Sequence, residues 1–185
     1  MSSIAVLVGN PQPASRTRLV AEELAQQLAG LSGARVEATI DLADVADSLF
    51  RFPDAAIDAL VERVAGADVL IVASPTYKAT YTGLLKAFLD RYGAGGLAGV
   101  TAVPLLTIGG PGHALAVEHG LRPLLVELGA STPTRGLAFP AGDTDRREEI
   151  IGAFLEGEWP RLAPALGASR EPVAAGQTVP AGLPS

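Results

Sequence analysis

The chain has 185 residues, 48% hydrophobic and 18% charged, with a net charge of −6 and no cysteine. That length is enough for one domain with a full core, and the missing cysteine excludes disulfides and thiolate metal sites. The acidic balance, with no basic stripe to offset it, argues against nucleic acid as a partner. No apolar run approaches the roughly 18 residues of a membrane span. The first residues carry neither a basic region nor a long apolar stretch, so a cytoplasmic protein is expected.

Ile4 to Val8 reads as a short buried strand running into Gly9-Asn10-Pro11-Gln12-Pro13-Ala14-Ser15. Glycine and two prolines exclude regular structure until Ser15, a good helix N-cap. The helix from Arg16 to Ala29 is expected to bury Leu19, Val20, Leu24 and Leu28. Ser15, Arg16 and Thr17 then stand at a helix N-terminus, where free backbone N–H groups, hydroxyls and a guanidinium suit a phosphate. An ordinary capped helix with a surface arginine would carry the same residues. Neither GxGxxG nor GxxxxGK[ST] is present, which weakens the case for a Rossmann dehydrogenase or an ATPase.

Arg35 to Leu42 alternates as a second strand, and Asp41, Asp44 and Asp47 read as a solvated turn. No histidine or cysteine nearby supplies further metal ligands, so no metal is expected there. Pro53 to Gly66 reads as a helix with Pro53 in its first turn and Ile57, Leu60, Val61 and Val64 inward. Val69 to Ala73 is apolar on both faces, as a central parallel strand must be, and Pro75 ends it. Thr76 to Gly83 is polar and aromatic. It feeds a helix that begins near Thr82, with Leu84, Leu85, Phe88 and Leu89 on one face. A polar loop between strand and helix is where open α/β sheets place ligands.

After a glycine-rich connection, Gly93 to Gly99, Thr101 to Ile108 forms the fourth strand. It ends at Gly109-Gly110-Pro111-Gly112-His113, whose glycines let backbone approach a flat ligand; a plain turn is the alternative. The next helix carries Val117, Leu121, Leu124, Leu125 and Leu128 and contains Pro123, which removes the bond to the carbonyl of His119. A π-bulge or a simple kink near His119 would relieve this. Ser131 to Phe139 reads as the fifth strand and Pro140 to Asp145 as a loop. Arg147 to Leu162 is the closing helix, with Ile150, Ile151, Phe154, Leu155 and Trp159 inward. Residues 1–163 make one domain, and residues 164–185 are expected to be a disordered tail. Five strands alternating with five helices define a doubly wound parallel sheet of three layers, order 2-1-3-4-5.

The loops after strands one, three and four all fall at carboxyl ends around the switch point of that order. A phosphate cradle, a polar aromatic wall and a glycine turn describe a mononucleotide with a flat ring, and FMN fits best. Gly9-Asn10-Pro11 with Ser15-Arg16-Thr17, the stretch Ser74 to Lys86 with its Pro75-x-Tyr77-Lys78-Ala79, Gly109-Gly110, and His113 through Pro123 carry a resemblance. It is to the flavodoxin-like NAD(P)H-dependent FMN reductases, close to the reductase components of two-component alkanesulfonate and methanesulfonate monooxygenase systems, over roughly residues 3–162.

The resemblance implies FMN held by Ser15, Arg16, Thr17, Pro75, Thr76, Tyr77, Lys78, Gly109 and Gly110. It implies hydride transfer from NADH or NADPH to FMN, and release of reduced FMN to a partner monooxygenase. It also implies a homotetramer, with His119 where family members often carry an inserted tyrosine in a π-helix at the subunit contact, and hence a flavin-retention role. No residue is assigned to catalysis, because the cofactor carries the chemistry. An FMN-bound quinone or azo reductase and a non-catalytic electron carrier are the alternatives.

Overall fold

The computed structural model describes residues 1–168. In chain order it contains β1 (Ser3–Val8), α1 (Arg16–Ser32), β2 (Arg35–Val36), β3 (Ile40–Asp41), a 3-10 segment (Leu42–Ser48), α2 (Ala55–Ala65) and β4 (Val69–Pro75). There follow α3 (Gly83–Leu89), β5 (Thr101–Ile108), a 3-10 turn (Pro111–His113), a π-helix (Val117–Leu121), α4 (Arg122–Glu127), β6 (Leu137–Pro140), a second 3-10 segment (Ala141–Arg146) and α5 (Arg147–Leu162). All pairings are parallel and the order is β2-β1-β4-β5-β6, with β3 also on β1.

The expected second strand is therefore two short pieces. Arg35 and Val36 pair with Ser3 and Ile4, and Ile40 and Asp41 pair with Leu7 and Val8. An edge strand has one neighbour to hold it, and residues 37–39 leave the ladder between the two contacts. Counted as one strand, the pair restores the expected 2-1-3-4-5 order. The flavodoxin-like fold thus stands, as three layers.

One core lies between the sheet and α1 with α5, where Val6, Val8, Ile71 and Ala73 meet Val20, Leu24, Phe154 and Trp159. The other lies beneath α2, α3 and α4, where Leu7, Leu70, Val72 and Leu106 meet Ile57, Phe88, Leu121 and Leu125. Both faces of β4 are covered, and all seven of its residues are buried. That is why its run is continuously apolar rather than alternating.

Several boundaries differ from the sequence expectation. Ser15 caps α1 as expected, its Oγ accepting the Arg18 N–H at 3.2 Å. The inward stripe of α1 is Thr17, Val20, Ala21, Leu24, Ala25 and Leu28. Small alanines take the positions beside it, and Leu19 is left 45% exposed. Pro53 lies ahead of α2, whose cap is Asp54, with Oδ1 accepting from Ala56 and Ile57. Ser131 makes only an isolated bridge to Thr101, and the fifth strand begins six residues later at Leu137. Pro104 tolerates its place in β5 for the same reason. Ala102 donates to Ser131 O at 2.7 Å on that side, and the ladder to β6 resumes only at Leu105, so the donor that proline lacks has no waiting acceptor.

The chain stays packed past Leu162. Ala163–Leu166 form a 3-10 turn with Ala163 and Leu166 buried, so the start of the expected tail belongs to the core. The rest of that tail, residues 169–185, lies outside the described residues.

Candidate functional site

The loops that leave the carboxyl ends of β1, β4 and β5 enclose a cleft of about 200 Å³ lined by Asn10, Gln12, Ser15, Arg16, Thr17, Pro75, Thr76, Tyr77, Thr107, Gly109 and Ala141. Of the residues nominated from sequence, Ser15, Arg16, Thr17, Pro75, Thr76, Tyr77 and Gly109 come together there. Lys78 stands beyond the lining, exposed at the tip of its loop, and Gly110 follows the lining glycine in the next turn. A Cβ on Gly109 or Gly110 would meet nothing, so the space above that turn is open.

Four lining residues were not singled out. Asn10 and Gln12 lie in the irregular stretch before Ser15, where the Gln12 N–H donates to Asn10 Oδ1 at 2.9 Å. Thr107 is the polar interruption in the apolar run Leu105-Leu106-Thr107-Ile108, one residue from the strand end, and that interruption was the available signal. Ala141 contributes its carbonyl, and nothing in its identity announces it.

Sequence reasoning gave Ser15, Arg16 and Thr17 similar roles; the structure separates them. Arg16 reaches across the cleft mouth and its Nη1 donates to Ala141 O at 3.1 Å. Ser15 Oγ is the cap acceptor and keeps its own proton to donate. Thr17 is 1% exposed, and its hydroxyl is occupied beneath the cleft by Asn10 Nδ2 at 3.2 Å and Thr107 Oγ1 at 2.8 Å. Its backbone N–H, like that of Arg16, lies in the first helical turn, where no helical carbonyl is available to accept it. The groups left to meet a ligand anion here are thus backbone N–H donors, the Ser15 hydroxyl and the Arg16 guanidinium.

The loop after β4 is anchored at both roots. Thr76 N–H donates to Thr107 O at 2.9 Å, extending the β4–β5 ladder. At the far end Thr82 caps α3, accepting the Leu85 N–H at 3.1 Å while its hydroxyl donates to Gly9 O at 2.5 Å. Ser74 Oγ accepts the Thr82 N–H at 3.0 Å. A Cβ on Gly9 would fall 2.5 Å from Leu85 Cβ, so the first loop and α3 pack together only because residue 9 has no side chain. Between the roots, Tyr77 and Thr80 exchange N–H···O bonds of 2.8 and 3.2 Å. Lys78 and Ala79 fill the turn at φ 52° and 69°, the two-residue arrangement that usually takes Asn-Gly.

Within the cleft, Thr76 Oγ1 is buried and finds no hydrogen-bond partner among the described residues. A buried hydroxyl left unpaired costs roughly 1–3 kcal/mol, so a ligand group that pairs with it gains that much. This orphaned hydroxyl, Arg16 and the first-turn N–H groups of α1 fit the polar and anionic parts of FMN.

The helix after β5 is a true π-helix at His119. The Arg122 N–H bonds the carbonyl of Val117, five residues back, and Pro123, which has no N–H to donate, follows at once where α4 continues from the π-helix. Val117 and Leu121 point into the core and His119 is exposed. A wider and mostly apolar hollow of about 410 Å³ lies between α1 and α5, lined by Gln27, Leu31, Leu155 and Trp159 among others. It sits away from the strand ends and gathers no group that would hold a phosphate. Among the described residues, no three His, Asp or Glu side chains are grouped to hold a metal. No helix there is long and apolar enough to cross a membrane.

The comparisons with known proteins agree with this geometry. The family model described as NADPH-dependent FMN reductase matches residues 2–144. The FMN reductase (NADPH) of Escherichia coli (strain K12) is 35% identical over 135 residues, which are 72% of this chain and 71% of that one. The NADH-dependent FMN reductase SfnF of Pseudomonas fluorescens is 31% identical over 179 residues, 92% of this chain and 95% of that one. A solved apo structure of the NADH:FMN oxidoreductase EMOB superposes with a TM-score of 0.74 at 33% identity, covering 93% of this chain and 92% of that one. The protein is therefore a flavin-dependent oxidoreductase of the flavodoxin-like kind. The chain belongs to the NADPH-dependent FMN reductase family, whose reactants are FMN and NAD(P)H.

Proposed function

We propose that this FMN reductase takes FMN in the cleft at the carboxyl ends of β1, β4 and β5. Ser15, Arg16 and Thr17 would hold the phosphate; Pro75, Thr76, Tyr77 and Lys78, with the Gly109-Gly110 turn, would border the ring. The observation that carries this is the meeting of Arg16, the free N–H groups of the first turn of α1 and the unpaired Thr76 hydroxyl in one cleft. Bound there, FMN supplies the hydride-accepting ring, so that NAD(P)H and a proton give NAD(P)⁺ and reduced FMN. The chain binds and orients; no side chain in the lining is required to move a proton. Relatives carry both NADH and NADPH in their names, and the donor proposed here is NADH or NADPH.

The partner we propose is a reduced-flavin-dependent monooxygenase of the sulfonate type, supported by the Pro75-x-Tyr77-Lys78-Ala79 motif and its setting. A homotetramer, with His119 at the subunit contact, is supported by the same resemblance and by the π-helix there, and a cytoplasmic location is proposed from the composition alone. Protein purified without flavin should oxidise NAD(P)H only when FMN is added. Oxidation that does not depend on FMN, or no FMN binding at all, would overturn the assignment. Quinone-dependent turnover with flavin retained throughout would mark the quinone-reductase alternative instead.

A further inference from the structure

Gly120 stands in the π-helix with its backbone against the loop that follows β4. A Cβ at this position would lie 2.7 Å from Thr80 Oγ1, 3.7 Å from Thr80 Cβ and 3.8 Å from the Tyr81 ring. A separation of 2.7 Å is well inside carbon–oxygen contact, so any side chain at residue 120 must displace Thr80 or the helix. Neither has much freedom. Thr80 is bonded to Tyr77 through both its N–H and its C=O, and the turn between them already holds two non-glycine residues at positive φ. A β-branched side chain also has few χ1 alternatives.

The π-helix is braced on its opposite side. Glu118 pairs with Arg122, and Glu118 Oε1 accepts the Gly136 N–H at 2.5 Å. Arg122 in turn donates to Thr132 O at 2.7 Å and to Thr134 O at 2.6 Å. Gly136 is packed so closely that a Cβ there would fall 2.5 Å from Val117 Cγ2. The helix therefore cannot retreat from Thr80 without breaking into the segment that leads to β6.

We propose that Gly120 is a positioning residue for the FMN site. Its bare backbone lets the braced π-helix support the Tyr77–Thr80 turn from behind, and the turn in turn sets Thr76 and Tyr77 at the cleft. The role rests on the reading of that cleft as the FMN site. Because the support acts on the loop that borders the ring, its loss should weaken riboflavin as much as FMN.

The test is a double-mutant cycle on the full chain. FMN and riboflavin dissociation constants are measured by quenching of flavin fluorescence for wild type, Gly120→Ala, Thr80→Ala and the double variant. Gly120→Ala is expected to weaken both flavins about 10-fold, the scale of an overpacked contact. In the Thr80→Ala background the same substitution should cost less than about 2-fold, because the clashing oxygen is gone. If Gly120→Ala does not fold but the double variant folds and binds flavin, the contact with Thr80 is established all the same. Equal penalties in both backgrounds, no penalty in either, or a double variant that fails to fold while Thr80→Ala folds would each overturn the role. Wild type that binds no FMN would overturn the cleft assignment and this role with it; wild type that binds while the cycle shows no coupling would overturn only the role of Gly120.

Discussion

The hydroxyls of Thr17 and Thr107 stand 2.8 Å apart, buried, and tie the first turn of α1 to the end of β5. Asn10 donates to the same Thr17 oxygen, so the first loop, α1 and β5 meet at a single atom. Thr107→Val keeps the shape and removes one hydroxyl. It should cost about 1–3 kcal/mol in denaturant unfolding and loosen the floor under Ser15 and Arg16, so FMN should bind less tightly as well. Unchanged stability would mean that the pair contributes nothing net.

Arg16 should distinguish the phosphate from the rest of the flavin. A charge-assisted hydrogen bond contributes roughly 1.5–3 kcal/mol, so Arg16→Ala should weaken FMN about 10- to 100-fold. Riboflavin, which has no phosphate, should bind both proteins alike. Equal weakening of the two ligands in a binding titration would place the phosphate elsewhere.

The turn at Lys78 and Ala79 is strained by its residues rather than by its bonds. A Cβ in the left-handed region costs about 1–2 kcal/mol, and Ala79 has φ 69°. Ala79→Gly removes that cost against about 0.4–1 kcal/mol of added chain entropy in the unfolded state. A melting temperature higher by about 2 °C is expected for a domain of this size. A lower one would show that the positive φ is not strained here.

Glu118 carries a pH signature. Arg122 holds its carboxyl below the usual glutamate range, the Gly136 N–H and His119 assist, and burial opposes them. A carboxylate with a depressed folded pKa stabilises fully above its unfolded value of about 4.3, and the contribution is lost as pH falls through the folded value. Thermal melts of wild type and Glu118→Gln should therefore differ most near neutral pH and converge in acid. A difference that stays constant down to about pH 3 would show that the charge is not what braces the π-helix.

Much of the fold was legible because its signals are periodic or abrupt. The continuous apolar run of β4, the Ser15 cap and the closing helix Arg147–Leu162 follow from burial on two faces, a short polar side chain and a helical stripe. The π-helix was legible as one of two ways to relieve Pro123 near His119. Less local features were not. In the stretch before β6, Arg122 takes the carbonyls of Thr132 and Thr134 as acceptors, a contact ten and twelve residues away that no local pattern announces. The Lys78-Ala79 turn uses residues that do not advertise positive φ. The Thr17 hydroxyl looked free for a ligand because the sequence does not reveal that Asn10 and Thr107 already occupy it, which leaves the backbone N–H of Thr17 for that role.

The loop between β4 and α3 is held at its roots by Ser74, Thr82 and the Thr76–Thr107 bond, and its tip is closed by Tyr77 and Thr80. Such a loop behaves as a cassette. Its tip residues, Lys78 and Ala79, contribute neither to the sheet ladder nor to the cap of α3. A substitution at either position therefore leaves the roots of the loop and the register of the sheet beneath it unchanged.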